Sequence, residues 1–299
     1  MAQAGVLLTQ LITMFLYVGA GWCLCRARLV TTQNNAALTN LLLYVILPCV
    51  IVRSFLRPAD PETTRSLLWS LLLGALALAL SMGVSFLLFR RQPALNFGSA
   101  FSNAGFMGIP LITAVLGEGA VFYIAGFVAL LNILQWTYGQ VLLGAPKKDL
   151  RPLALLKNPL VLAFLLGLLL YFLPVELPGI LENAVGAVAA CNGPVAMVIL
   201  GVLLGNIPVE KMFLSPGAWA ASAVRLCLIP LLTLALLHGF SFLPQDMRTA
   251  VFIAAAAPVG SNLAVYVQRQ GGDAQGAAGV VCLSTLLSVV TMPLLLLWL

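Results

Sequence analysis

Asn103, Gly105, Gly108 and Pro110 share one eight-residue run, NAGFMGIP, set inside an apolar segment from Ala94 to Leu116. None of these side chains is a nucleophile, an acid or a base, so the chemistry on offer belongs to the backbone. Gly105 and Gly108 lower helix propensity, and Pro110 removes a donor and clashes with the carbonyl four residues back, which predicts a broken helix. Backbone groups freed in hydrocarbon have to be satisfied by protein, water or a ligand. A second run of this kind, PVGSN, interrupts the segment from Thr249 to Gln268 and adds Pro258, Ser261 and Asn262. Half-helix N-termini at such breaks carry partial positive charge and unpaired N–H groups, which suit an anion.

The remaining polar groups sharpen that chemistry. All nine carboxylates (Asp60, Glu62, Glu118, Asp149, Glu176, Glu182, Glu210, Asp246 and Asp273) map to loops, turns or span ends. A proton relay or a carboxylate-built cation site ordinarily needs one at mid-membrane. Neutral groups remain there instead, among them Asn132, Gln135, Asn192, Ser284 and Thr285. The expected ligand is therefore a small carboxylate or other organic anion held between the two breaks. Asn132 and Gln135 are three apart and share a helix face, for a helix–helix hydrogen bond or for contact with substrate or ion. Arg225 is the strong charge within a span; it either snorkels to the surface or steadies an anion or a backbone carbonyl.

Enzyme chemistry finds no foothold. There is no HExxH, no G-x-S-x-G and no paired acidic motif, so neither a catalytic residue nor a metal ligand set is expected. The cysteines, Cys23, Cys25, Cys49, Cys191, Cys227 and Cys282, lie in apolar segments without metal-ligand spacing to His238, and are expected to be small buried hydrophobes.

The elements that must position these residues are membrane helices. Of 299 residues 62% are hydrophobic and 8% charged, and mean hydropathy is +1.06. A soluble domain carries about 25% charged residues, and a span needs about 20 apolar ones, so the chain reads as an all-α polytopic membrane protein of roughly ten spans. The expected spans run from about Ala4 to Cys25, Ala36 to Leu56, Ser66 to Phe89, Ala94 to Leu116 and Ala120 to Leu143. They continue from Pro159 to Leu173, Ile180 to Leu204, Ala218 to Phe240, Thr249 to Gln268 and Gly276 to Trp298. The start, MAQAG, has no basic residue before its apolar run, so the first span is expected to be retained. With both termini outside, ten Lys and Arg fall on cytoplasmic connections and four on external ones. The net charge of +6 thus reports orientation in a lipid bilayer and no nucleic-acid partner.

The order of the breaks repeats. Pro48 in span two answers Pro194 in span seven, and NAGFMGIP in span four answers PVGSN in span nine. Each broken segment ends in a Gly-acidic turn, Gly117-Glu118 and Gly272-Asp273. Five spans repeated place the second copy in the opposite sense, which predicts repeats over 1–144 and 158–299 joined by a cytoplasmic linker, 145–157. Interrupted spans at matching positions of such repeats point to a transporter's binding site.

NAGFMGIPL (Asn103 to Leu111), LYVILP (Leu43 to Pro48), RLCLIP (Arg225 to Pro230) and PVGSN followed by GGDAQGAAGVVCLSTLLSVVTMPL resemble the auxin efflux carrier family across essentially the whole chain. The resemblance implies ten helices in two inverted repeats, with helices four and nine broken and crossing at mid-membrane, a fold shared with the sodium/bile-acid symporters. It also implies elevator-type alternating access in the plasma membrane, the inner membrane of a bacterium, and homodimers, which are known in the family. Bacterial members include permeases for malate or malonate. By position, Asn103, Pro110, Pro258 and Asn262 would form the crossover and contact the carboxylate, with no cofactor beyond a coupling ion, H+ or Na+. Open alternatives are a sodium-coupled importer, with Asn132 and Gln135 at the cation, and an anion channel. The plant carriers' long central loop has no counterpart in the short 145–157 connection.

Overall fold

The apolar segments fold as helices, two of them interrupted, and several helices start at a capping side chain. The computed structural model describes residues 2–146, 157–173 and 177–299, so most of the expected linker lies outside it. Helix α1 spans Ala2–Arg26. Next come α2, Thr32–Leu41, and α3, Leu47–Phe55, joined by a π-helical turn at Leu42–Ile46. Helix α4, Pro61–Phe89, begins at Asp60, whose carboxylate accepts the Thr63 N–H. After α5, Pro93–Ala100, the chain breaks and resumes as a π turn, Ala104–Gly108, that leads into α6, Ile109–Leu116. Helix α7 is Phe122–Leu134, continued by a π turn at Gln135–Gly139.

In the second part, α8 (Pro159–Phe172) starts at Asn158, whose side chain accepts the Leu160 N–H. Helices α9, Gly179–Ala190, and α10, Asn192–Gly205, meet at Cys191. Helix α11, Pro216–Ala223, passes through a π turn, Val224–Leu228, into α12, Ile229–His238. Helix α13, Gln245–Ala256, is separated by a second break from α14, Asn262–Arg269, and α15 is Ala274–Leu296. Among the described residues seven helical stretches are long and apolar enough to cross a membrane, and Ala104–Leu116 and Pro159–Phe172 are shorter apolar ones. With large side chains such as Leu16, Leu87 and Ile180 facing outwards, this is an integral, polytopic, all-helical membrane protein.

Three prolines follow one pattern. Pro48, Pro110 and Pro230 each sit second in a helix that continues directly from a π turn. A π turn widens the backbone by one residue and spares the carbonyl that the proline ring would strike. The helix therefore runs on past Pro110, and the break expected through NAGFMGIP falls instead at its leading edge, Phe101 to Asn103.

Close packing fixes α1 against α10. A Cβ on Gly201 would lie 2.1 Å from the Val18 carbonyl oxygen, and one on Gly21 would lie 2.2 Å from that of Val198. Without lipid hydrophobicity to drive them together, membrane helices associate through such small-residue contacts. The expectation for the cysteines is corrected for most of them. Cys282 is buried, whereas Cys23, Cys191 and Cys227 are exposed, because a thiol on a membrane helix can face outwards at little cost.

Candidate functional site

The two helix breaks meet each other. Backbone at Phe101 (φ −110°, ψ 116°) and Ala257 (φ −56°, ψ 149°) leaves the helical region, and the extended pieces pair as an isolated antiparallel bridge, Ser102 with Val259. The Asn103 N–H donates to the Pro258 carbonyl at 2.8 Å, and the Gly260 N–H donates to the Phe101 carbonyl at 3.0 Å. The Val259 N–H donates to Ser284 Oγ on α15 at 3.1 Å. Gly260 suits this approach, since a Cβ there would sit 3.3 Å from both the Phe101 and Ser102 carbonyl oxygens, a tight contact. Each break thus satisfies backbone groups that the other has freed.

Arg225 closes the arrangement. It is 1% exposed, on the π turn between α11 and α12. Its Nε donates to the Ala257 carbonyl at 3.0 Å, and Nη1 donates to Ser99 and Ala100 carbonyls at 3.1 and 3.4 Å. One guanidinium therefore caps the C-terminal ends of α5 and α13 together. Nε and Nη1 thus hold backbone carbonyls, one of the roles open from the sequence, while Nη2 is buried without a hydrogen-bond partner. A helix end carries about half an elementary charge, so a single cation offsets the two negative ends, and no side chain caps the helical turns that follow the breaks.

Two cavities lie at opposite ends of the helix formed by α2 and α3. The first, about 740 Å³, lies between the end of α3, helix α6 and the α9–α10 junction, and reaches Pro110, Asn192 and Pro194. The second, about 600 Å³, lies between α2, α7 and α14, and reaches Asn132 and Asn262. Their chemistry differs. The second is lined by amides, including Asn35, Asn40, Asn158 and Asn206, with Arg269 as its one charged lining residue among the described residues. The first carries Arg53, Arg57, Asp60, Glu118 and Glu182.

The residues expected from sequence fall into three groups. Pro110, Asn192 and Pro194 line the first cavity, and Asn132 and Asn262 line the second. Asn103, Gly105, Gly108, Pro258, Ser261, Gln135 and Arg225 line neither, and of these Asn103, Pro258 and Arg225 bond the backbone of the breaks. Gln135 accepts from Asn262 Nδ2 at 3.0 Å, and Asn192 Nδ2 donates to the Gly105 carbonyl at 3.4 Å. Asn103 is buried, and its Nδ2 has no hydrogen-bond partner. Pro48 and Thr285 stand aside: Pro48 lines neither of these cavities, and the Thr285 hydroxyl donates to its own helix at Val281. Its neighbour Ser284 is the one that touches a break.

Arg53, Arg57 and Glu118 were read from sequence as loop charges alone, yet they form a cluster in the first cavity. Arg53 and Glu118 pair at 2.8 and 3.1 Å, and Arg57 donates to the Gly119 carbonyl at 2.7 Å. The spacing of two arginines at the end of one span was the available signal. Beside them, the Asp60 carboxyl is held below the usual carboxylate range by the Thr63 hydroxyl and then the Thr63 amide.

Comparison with known proteins gives the same direction. Over 284 residues the chain is 27% identical to a protein of Rhizobium meliloti (strain 1021) named "Putative malonate transporter", covering 89% of this chain and 88% of that one. Residues 6–296 match the family described as "Membrane transport protein", and the chain, as its resemblance to the auxin efflux carriers implied, belongs to that family.

Proposed function

We propose that this protein is a secondary transporter of a small organic anion, a carboxylate such as malonate, working by elevator-type alternating access. The observation that carries the proposal is the bridge between the two breaks, capped by Arg225, with a cavity at either end of the helix formed by α2 and α3. In this scheme ten helices form two inverted repeats, 1–144 and 158–299, with the termini outside the bacterial inner membrane. The first cavity opens outwards and the second inwards. Asn103, whose amide nitrogen is buried without a partner, and Asn262 hold the carboxylate near the N-termini of the helices that follow the breaks. The remaining residues of the two runs, Gly105, Gly108, Pro110, Pro258 and Ser261, shape the backbone around it.

The electrostatics favour an anion of low charge. Two N-termini contribute about one positive charge, and Arg225 is offset by the two C-terminal ends. A dicarboxylate dianion would overshoot by about one charge, which favours movement together with a cation, H+ or Na+. Asn132 and Gln135, beside Asn262, are the groups placed to hold Na+ in that case. The relative named for malonate, the paired breaks and the lack of a mid-helix carboxylate among the described residues support transport of this class.

Uptake of labelled malonate and other small carboxylates into proteoliposomes, with and without Na+ and pH gradients, tests the proposal. Saturable uptake is expected, and its dependence on one gradient identifies the coupling ion. Binding of cations with no binding or uptake of any organic anion would contradict it.

A further inference from the structure

We propose that Arg53 and Arg57 form an outer carboxylate-binding subsite, and that Glu118 occupies it as an internal stand-in until a substrate carboxylate displaces it. The proposal rests on the anion-transport function above and names the first place at which the anion is recognised.

Arg53 holds Glu118 through both terminal nitrogens, Nη2 to Oε2 at 2.8 Å and Nη1 to Oε1 at 3.1 Å. Such a two-point fork is the geometry in which a guanidinium receives any free carboxylate. The pair is open to exchange, because the Arg53 and Glu118 side chains are 34% and 57% exposed and solvent screens their attraction. Glu118 stands on a short turn after Gly117, whose φ of 86° suits glycine, so its carboxylate can rotate into solvent without disturbing a helix.

Arg57 is held more firmly at the same turn. It donates to the Gly119 carbonyl and lies 4.6 Å over the Phe122 ring, and a Cβ on Gly119 would come within 2.8 Å of its Nη2. Both arginines line one 740 Å³ cavity, where a fixed guanidinium stands beside one whose partner can leave. Asp60, also in the lining, is committed to capping α4 through the Thr63 amide and hydroxyl at 2.8 and 2.6 Å. Exchanging one carboxylate for another leaves the charge on Arg53 balanced throughout. The turn between α6 and α7 stays tied to the end of α3 through Arg57 and the Gly119 carbonyl while Glu118 leaves.

The test is uptake kinetics of labelled malonate in proteoliposomes, with carboxylate binding followed by thermal shift, for wild type, Glu118→Gln, Arg53→Gln and the double variant. Removing the competitor with Glu118→Gln should lower KM about threefold, the scale of a half-exposed ion pair. Removing the receptor with Arg53→Gln should raise KM about tenfold, and the double variant should match Arg53→Gln. Glu118→Asp, with its shorter reach, should shift KM in the same sense as Glu118→Gln, which covers a folding defect in either one. A merely structural ion pair would move Glu118→Gln and Arg53→Gln in the same direction, and that result overturns the subsite. A wild type that neither binds nor transports any carboxylate overturns the transport function, and the subsite with it.

Discussion

Arg225 serves two helix ends with one side chain, and that double duty makes it sensitive to substitution. Replacing it with Gln leaves buried carbonyls at Ser99, Ala100 and Ala257 short of donors. A cost of about 3 kcal/mol in stability is expected, with uptake lost, because removing one member of a buried charged network is expensive. Lysine should not rescue it, since one ammonium cannot reproduce a fork that spans both ends. Wild-type melting temperature and uptake in Arg225→Lys would refute the capping role. Asn103 should behave in the opposite way. Its backbone makes the bridge while its Nδ2 is unpartnered, so Asn103→Ala should change stability by less than about 1 kcal/mol yet weaken carboxylate binding about tenfold, as for one lost hydrogen bond to a charged group. Thermal melts with and without malonate separate the two effects. From the sequence, Arg225 was visible as an anomaly and Asn103 as a break residue. The partners of Arg225 were not visible, because they lie 32 to 126 positions away in the chain.

Among the elements, helix ends and close contacts set the geometry. Asp60 caps α4, and its carboxyl is held below the usual range by Thr63. A depressed carboxyl contributes stability above its unfolded pKa and loses it as pH falls through the folded value. Melting temperature should therefore fall on acidification below the ordinary aspartate range, and Asp60→Asn should remove that part of the dependence. The α1–α10 contact has no room at Gly201, where a Cβ would meet the Val18 carbonyl oxygen at 2.1 Å. Gly201→Ala should cost about 1–3 kcal/mol by forcing the helices apart, measurable as a lower melting temperature and earlier aggregation in detergent. Span positions were legible because apolar runs and capping residues sit next to each other in the chain. The displacement of the fourth-span break to Phe101–Asn103 was not, because a π turn forms where packing favours it and local propensity does not mark it.

For the molecule as a whole, composition alone made the class plain, and the likeness of NAGFMGIP to PVGSN anticipated that the two breaks belong together. The bridge between Ser102 and Val259 gives that likeness a physical form. Less of the candidate site could be read. The first cavity is built from the ends of α3, α6 and α9, and its Arg53–Glu118 pair joins residues 65 apart that sequence patterns treat as separate loop charges. Carrier or channel is a question at this scale, and exchange across the membrane answers it. The decisive measurement is counterflow in proteoliposomes, with labelled malonate outside and unlabelled malonate inside. A carrier that alternates about the bridged breaks should show saturable entry, accelerated by internal malonate and lost in Arg225→Gln. Entry that rises linearly with concentration and ignores internal malonate would contradict alternating access at this site.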